Sequence, residues 1–191
     1  MTTSTPSPAP TTSLRSESRF LDLLRQQVRR ELTASQQYLA IAVWHDGHDL
    51  PELAGRFYRQ AAEERDHALM MVRYLLDRDA DVAVPGVDDV RNDFGAPRDT
   101  IALALEQERA VTAQVEELFQ AARAEGDGSG EQFMLWFLKE QVEEVASMSA
   151  LLTLAQRVGD DWLRMEEFLA RQPAEAGGPE ADAPPVAGAG A

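Results

Sequence analysis

Four long stretches of this chain carry apolar residues at alternating steps of three and four, and each stripe is interrupted near its middle by Glu, His or Gln. Such steps place the stripe on one face of an α-helix, and this face packs towards the axis of a helix bundle. The interrupting residues, in chain order, are Glu31, Glu64, His67, Glu108, Gln141 and Glu144. The pattern therefore predicts four helices around an apolar core with polar groups at its centre.

Proline and glycine residues set the bounds of the predicted helices. We expect long helices over about 16–44, 51–78, 99–125 and 131–158, and a short helix from 160 or 161 to about 171. Asp49 is expected to cap the second helix, because Pro51 stands in the first turn of that helix.

The lengths of the connections predict the topology. Short turns join the first helix to the second and the third to the fourth, so each pair should be antiparallel. The link over 79–98 holds two prolines and two glycines, and it is long enough to run the length of the bundle. One long crossover of this kind is typical of the ferritin-like arrangement. The fold class is thus predicted as all-α: a ferritin-like four-helix bundle with one long crossover and a short fifth C-terminal helix.

The two ends of the chain differ in composition from the rest. Residues 1–14 are mostly Thr, Ser, Pro and Ala, and residues 173–191 are mostly Pro, Gly and Ala. Neither stretch offers enough apolar surface to offset the entropy lost on ordering. We therefore expect one domain over 15–172 between two disordered tails.

Charge and cysteine content exclude several classes of function. The chain has 33 acidic and 18 basic residues, a net charge of −15, which argues against nucleic acid and anionic membrane as partners. The absence of cysteine excludes disulfides, iron–sulfur clusters and thiolate nucleophiles. The first ten residues show no secretory signal, and the longest apolar run, 38–44, is too short to span a bilayer. A cytoplasmic protein is expected.

The interrupting residues are also expected to lie at one depth in the bundle. Their distances from the turns are similar, and at about 1.5 Å per residue they fall in one layer. Four carboxylates, one imidazole and one amide would then converge in an apolar core, where bare carboxylates are strongly disfavoured. Two divalent cations would neutralise the four charges, and these ligands suit iron or manganese. Glu64 and His67 also have the Glu-x-x-His spacing of diiron carboxylate bundles.

Over roughly residues 15–171 the chain resembles the bacterial non-haem ferritins, particularly the actinobacterial ferritins. The resemblance lies in the segments RRELTASQQYLAIAV, FYRQAAEERDHALMMV, ALEQERAVTAQV and FMLWFLKEQVEEV. It implies a ferroxidase that oxidises Fe(II) with O2 or H2O2 at a diiron centre within each subunit. It also implies storage of Fe(III) as mineral inside a homo-oligomeric cage of twenty-four subunits.

The resemblance also implies roles for individual residues. Glu31, Glu64 and His67 match the first iron site. Glu64 also bridges to a second site, which Glu108 completes. Gln141 and Glu144 are the two residues that stand alongside this second site in the fourth helix.

Further residues match features around the diiron centre of this family. Glu63, Glu140 and Glu143 match an additional iron site on the inner surface, although the sequence alone is equally compatible with a solvated acidic face. Tyr38 and Trp136 match a Tyr and a Trp that supply an electron to the centre. For Trp136, packing in the aromatic core is an alternative.

Haem is not expected. Haem-containing bacterioferritins repeat Glu-x-x-His in the fourth helix, where this chain has Gln-Val-Glu-Glu over 141–144. Their haem-binding Met precedes the His of the second helix, whereas Met70 and Met71 follow His67 and are expected in the core. His45 and His48 lie near a predicted turn and are expected to be solvated rather than to bind metal.

Two alternative functions remain open from the residues alone. A helix bundle with structural metal would bind iron without oxidising it repeatedly, and a diiron oxidase acting on an organic substrate would form a small oligomer. The C-terminal tail is either inert or docks into a partner such as an enclosing protein shell. The preferred oxidant, the iron entry pore and a reductase that releases iron are not indicated by the sequence.

Overall fold

The computed structural model describes residues 18–172 and 182–188. It contains α1 (Arg19–Asp46), α2 (Pro51–Asp77), α3 (Pro97–Glu125), α4 (Gly128–Val158) and α5 (Trp162–Leu169). The described residues form no strand, and none of their helices is long and apolar enough to cross a membrane. α1 packs along α2 and α3 along α4, while α5 contacts α2 and α4. The predicted all-α bundle with a short fifth helix is confirmed.

The crossover between α2 and α3 is tied to α1 by side-chain hydrogen bonds. The side-chain amide of Gln37 donates to the Arg91 carbonyl (2.8 Å) and accepts from the Arg91 amide (2.7 Å). Nearer the start of α1, Arg25 Nε donates to the Asp81 carbonyl (2.9 Å). The crossover thus runs in the same direction as α1 and brings the start of α3 to the end of α1.

The predicted cap of α2 is wrong. Asp49 has a left-handed backbone (φ 57°), and the N-cap residue is Leu50, which makes no side-chain capping bond. The Glu166 carboxylate of α5 accepts instead from the amides of Glu52 (2.7 Å) and Leu53 (3.0 Å). A carboxylate is favourable at this helix end, whose first amides have no partner within the helix. The cap is a tertiary contact, which local sequence cannot indicate.

α4 begins three residues before the predicted start. The Asp127 carboxylate accepts from the Gly130 amide (3.0 Å) and binds the Arg78 guanidinium through two hydrogen bonds (2.8 and 3.0 Å). Gly130 packs closely against α1, because a Cβ atom at this position would lie 2.7 Å from the Phe20 ring. Gly128 and Gly130 therefore belong to α4, whereas Gly126, with a left-handed backbone (φ 69°), is the C-cap of α3.

Two apolar clusters fill the two ends of the bundle. The Ile41 cluster consists of fourteen buried residues: Tyr38, Ile41, Ala42, Leu50, Leu53, Phe57, Ala61, Ile101, Ala104, Leu105, Met148, Leu151, Ala155 and Met165. The Leu24 cluster consists of thirteen: Phe20, Leu24, Val28, Ala68, Met70, Met71, Leu75, Val115, Leu118, Ala121, Ala122, Met134 and Phe137. Polar side chains occupy the layer between the two clusters.

Part of the C-terminal stretch has tertiary contacts. Within 182–188, Ala183 and Val186 pack against the Leu24 cluster, and the Ala187 amide donates to the Leu69 carbonyl (3.3 Å). The predicted N-terminal tail over 1–14, and residues 173–181 and 189–191, lie outside the described residues.

The expectation that His45 is solvated is wrong. His45 is fully buried, its ring stacks on Phe57, and its Nε2 lies 2.8 Å from the Thr100 hydroxyl. That hydroxyl donates to the Pro97 carbonyl (2.6 Å), so it accepts from the Nε2–H of the imidazole. Burial lowers the pKa of His45 to about 4. His48 is exposed, as expected.

We predict that His45 makes the fold acid-sensitive. Its pKa is about 6.5 unfolded and about 4 folded, so protonation favours the unfolded chain as pH falls between these values. The free energy of unfolding should fall by about 3 kcal/mol by the lower end of this pH window. Urea unfolding of the apoprotein at the two ends of this pH window should show a smaller loss of unfolding free energy for His45→Gln than for the wild type. The exposed His48→Gln is the control, and an equal loss in all three proteins would contradict the prediction.

Candidate metal centre

The polar layer between the two apolar clusters brings together the residues predicted to bind metal. Relative exposures of Glu31, Glu64, His67, Glu108 and Gln141 are 1%, 2%, 6%, 1% and 6%. They come from all four long helices: Glu31 from α1, the Glu64–His67 pair from α2, Glu108 from α3 and Gln141 from α4. Each interrupts the apolar face of its helix, the face that packs towards the bundle axis.

Glu31, Glu64 and His67 form a compact set of metal ligands. One ligand atom from each lies within 4.8 Å of the others, and His67 Nδ1 is 3.3 Å from a Glu64 oxygen. Within the described part of the chain, Glu31 Oε2 is buried and accepts no hydrogen bond. A buried carboxylate oxygen without a donor is suited to a cation. Two carboxylates and an imidazole therefore fit a divalent transition metal at this position.

Glu108 lies beside this set of ligands in the polar layer. Its two oxygens accept from the Tyr38 hydroxyl and from Gln141 Nε2, the latter at 3.1 Å. The charge of Glu108 contributes to the raised pKa of Glu64, so the two carboxylates are electrostatic neighbours. Tyr38 and Gln141 thus hold Glu108 towards the first set of ligands.

A second set of ligand atoms lies on the outer side of His67. Glu63, His67 and Glu140 each place one ligand atom within 4.8 Å of the others. The sequence predicted Glu143 as the third member with Glu63 and Glu140. Glu143 is exposed on α4 and is not part of this set, whereas His67 belongs to both sets.

Burial raises the pKa of every acidic residue in the polar layer for which a shift is resolved. For Glu31 and Glu64 the rise is large, and repulsion from neighbouring carboxylates adds to it. The pKa of Glu108 is also raised, chiefly by burial. That of Glu144 rises to about 8, through burial and the charges of Glu108 and Glu63. Cations placed here would relieve both the desolvation and the repulsion.

Gln27 is a contributor to the site that the sequence analysis did not identify. It is fully buried, and its side-chain amide donates to Glu31 (2.9 Å) and to Gln114 (3.0 Å). Gln27 lies one turn before Glu31, so the i, i+4 spacing was a usable signal. Its hydrogen bond orients the Glu31 carboxylate from the preceding turn of α1.

The two aromatic residues predicted near the centre are both in contact with it. Tyr38 donates to Glu108 and stacks on Phe57 at 5.9 Å. Trp136 packs edge-on against His67, with ring centroids 5.7 Å apart. Its indole N–H has no acceptor among the described residues.

Comparison with known proteins places this arrangement in a family. Residues 21–158 match the profile of the ferritin-like domain. The chain belongs to the ferritin family. Its helices, crossover and polar layer agree with this membership, and the predicted ferritin-like fold class is confirmed.

Relatives of this ferritin lie in bacteria and archaea. The protein named ferritin BfrB from Mycolicibacterium smegmatis is 56% identical over 172 residues, covering 90% of this chain and 94% of the relative. The bacterial non-heme ferritin of Staphylococcus aureus is 34% identical over 142 residues, covering 74% and 86%. The crystal structure of an open pore ferritin from Archaeoglobus fulgidus superimposes with a TM-score of 0.78 at 25% identity, covering 83% and 98%.

We predict that Glu144 destabilises the metal-free protein at alkaline pH. Its pKa is about 8 folded and 4.5 unfolded, so stability falls as pH rises between these values. Glu144→Gln should therefore stabilise the apoprotein at pH 8, by up to about 4 kcal/mol, and have little effect near pH 4.5.

The measurement is chemical unfolding of the apoprotein at the two pH values. Glu143→Gln is the matched control, because this neighbouring carboxylate is exposed. An equal response of the two variants at pH 8 would contradict the prediction.

Proposed function

We propose that this protein is an iron-storage ferritin that oxidises Fe(II) at a diiron centre within each subunit. Membership of the ferritin family implies iron storage. The observation that carries the ferroxidase proposal is the buried set Glu31, Glu64 and His67 beside Glu108. Buried carboxylates on three of the four long helices are costly in a structural bundle and suit the binding of two cations.

The proposed reaction uses Fe(II) as its substrate. Glu31, Glu64 and His67 hold the first ferrous ion, and Glu64 and Glu108 hold the second, with Gln141 and Glu144 alongside. Each ion gives one electron to O2 or H2O2, so a pair supplies two electrons together. The protein contributes fixed carboxylate charge and an apolar surrounding that excludes water.

A third iron position is proposed outside this pair. Glu63 and Glu140 form it together with His67, and Glu143 extends it along the exposed face of α4. Because it shares His67 with the diiron pair, it is placed to receive oxidised iron from that pair. Iron would leave the centre by this acidic face towards the mineral.

The other parts of the proposal concern assembly, haem and compartment. We propose a cytoplasmic cage of twenty-four subunits, and exposed apolar side chains such as Val84, Val142 and Leu163 (84%, 71% and 72%) favour contacts between subunits. The ferritin is proposed to be haem-free and of the actinobacterial type. Met70 and Met71 are buried in the Leu24 cluster, which supports a packing role for both.

We predict that replacing Glu64 abolishes rapid iron oxidation. Glu64→Gln removes one charge from both iron positions, and the initial rate of Fe(II) oxidation in air should fall at least about tenfold. Asp66→Asn is the control, since Asp66 is an exposed carboxylate on the same helix. The rate is followed by the absorbance of Fe(III), and full oxidation by Glu64→Gln would refute the diiron proposal.

The two alternative functions, a diiron oxidase of an organic substrate and a bundle with structural metal, would give different products when excess Fe(II) is added in air. After excess Fe(II), size-exclusion chromatography of a storage ferritin should show thousands of irons in a particle of several hundred kilodaltons. About two irons per chain in a small oligomer would indicate a diiron oxidase of an organic substrate. Bound iron without turnover would indicate structural metal.

A further inference from the structure

A fully buried amide on α1 connects one candidate iron ligand to two other side chains. Gln27 Nε2 donates to Glu31 Oε1 (2.9 Å) and to Gln114 Oε1 on α3 (3.0 Å). Gln27 Oε1 accepts from the Arg30 guanidinium (3.1 Å). We call the side chains of Arg30, Gln27 and Gln114 the amide network. The nitrogen and the oxygen of the Gln27 amide are thus both paired inside the protein.

Arg30 decides which end of the Gln27 amide faces Glu31. A guanidinium carries only hydrogen-bond donors, so the atom that it contacts on Gln27 has to be the oxygen. The amide nitrogen is therefore turned towards Glu31 and Gln114. In the reverse orientation the amide oxygen would lie against a carboxylate oxygen, and two acceptors form no hydrogen bond. The amide network thus ensures that a donor faces the carboxylate.

The two oxygens of the Glu31 carboxylate have different surroundings. Oε1 accepts the hydrogen bond from Gln27, whereas Oε2 is buried and accepts none from residues 18–172 and 182–188. Glu31 also offers a ligand atom within 4.8 Å of those of Glu64 and His67. A buried carboxylate oxygen without a donor is unfavourable unless a cation binds it. Oε2 is therefore the oxygen that remains for a metal ion.

We propose that Gln27 is a positioning residue that holds Glu31 Oε1 and reserves Oε2 for metal, so that Glu31 binds the first ion through one oxygen. This role rests on the proposed diiron centre. A neutral amide suits it, because the amide fixes the carboxylate and leaves its negative charge in place. A lysine or arginine at position 27 would form an ion pair with Glu31 and repel the incoming cation.

Gln27 contacts a ligand of only one of the two proposed iron positions. Glu108, which belongs to the other position, is held instead by Tyr38 and Gln141. Hydrogen bonds to metal ligands typically change metal affinity by about 10- to 100-fold. The amide network therefore sets the affinity of the Glu31 position separately from that of the Glu108 position.

Co(II) binding to the iron-free protein tests this role without any oxidation. Co(II) takes the same oxygen and nitrogen ligands as Fe(II) and absorbs visible light when bound, so a titration gives the affinity of each position. Gln27→Met should weaken one of the two positions at least about tenfold and leave the other unchanged. Gln27→Asn should give the same loss, because its amide is one methylene too short to reach Glu31. Gln26→Met is the matched control, since the neighbouring Gln26 is exposed, and it should retain both affinities.

Infrared difference spectra of the Co(II)-loaded and iron-free protein report how Glu31 binds. The gap between the two carboxylate stretching bands is wide for a ligand that binds through one oxygen and narrow for one that binds through two. The bands missing in Glu31→Gln identify this carboxylate. Their gap should be wide in the wild type and narrow in Gln27→Met, where Oε1 is released. A gap that is equal in the two proteins would overturn the proposal.

A further variant separates positioning from packing. Gln114→Met removes the contact with α3 but leaves the donor to Glu31, so its loss of Co(II) affinity should be smaller than that of Gln27→Met. An equal loss would assign the effect to the contact between α1 and α3 and would contradict the proposed role. Circular dichroism of each variant should match the wild type. If Gln27→Met does not fold, Gln27→Asn, which keeps a buried amide, decides the outcome.

The positioning role and the proposed function fail in different ways. If the wild type binds Co(II) at both positions and the two Gln27 variants bind it equally well, the positioning role is overturned. The Glu64→Gln result on Fe(II) oxidation then still decides the ferroxidase. If the wild type binds no Co(II) in the polar layer, the metal centre is refuted together with the role of Gln27. Weakening of one position in both Gln27 variants, with none in Gln26→Met, supports the role.

Discussion

The structure depends on the burial of like-charged carboxylates between two apolar clusters. Glu31, Glu64 and Glu108 are almost inaccessible to water, and burial raises the pKa of each. A fold built only for stability would replace these groups with apolar side chains of similar volume. The bundle therefore stores an unfavourable electrostatic energy that a bound cation releases, and this links metal affinity to folding.

The rest of the architecture serves to hold that layer in place. The crossover, tied to α1 through Gln37, sets the direction of α3 and so brings Glu108 to the depth of Glu31. Gln27, Tyr38 and Gln141 each donate to one of these carboxylates, which fixes their orientation. Hydrogen-bond donors in the layer stabilise the charged forms without neutralising them. The carboxylates of Glu31 and Glu108 are thus oriented in the metal-free structure.

Much of this could be predicted from the sequence, because the decisive signals are local. Helical periodicity placed Glu31, Glu64, His67, Glu108 and Gln141 on buried faces, and connection lengths indicated the crossover. The cap on α2 and the burial of His45 could not be predicted, since both depend on partners more than fifty residues away. The exposure of Glu143 depends on the rotation of α4, which a single turn of sequence does not define.

The contact between Glu166 and the start of α2 limits where the chain can be shortened or extended. α5 has only eight residues, yet its carboxylate completes the helix that carries Glu64 and His67. Shortening the chain before α5 would leave those amides unsatisfied and let the first turn of α2 fray. Peptides or cargo proteins fused to this ferritin therefore belong after α5, where the added segment leaves that helix end intact.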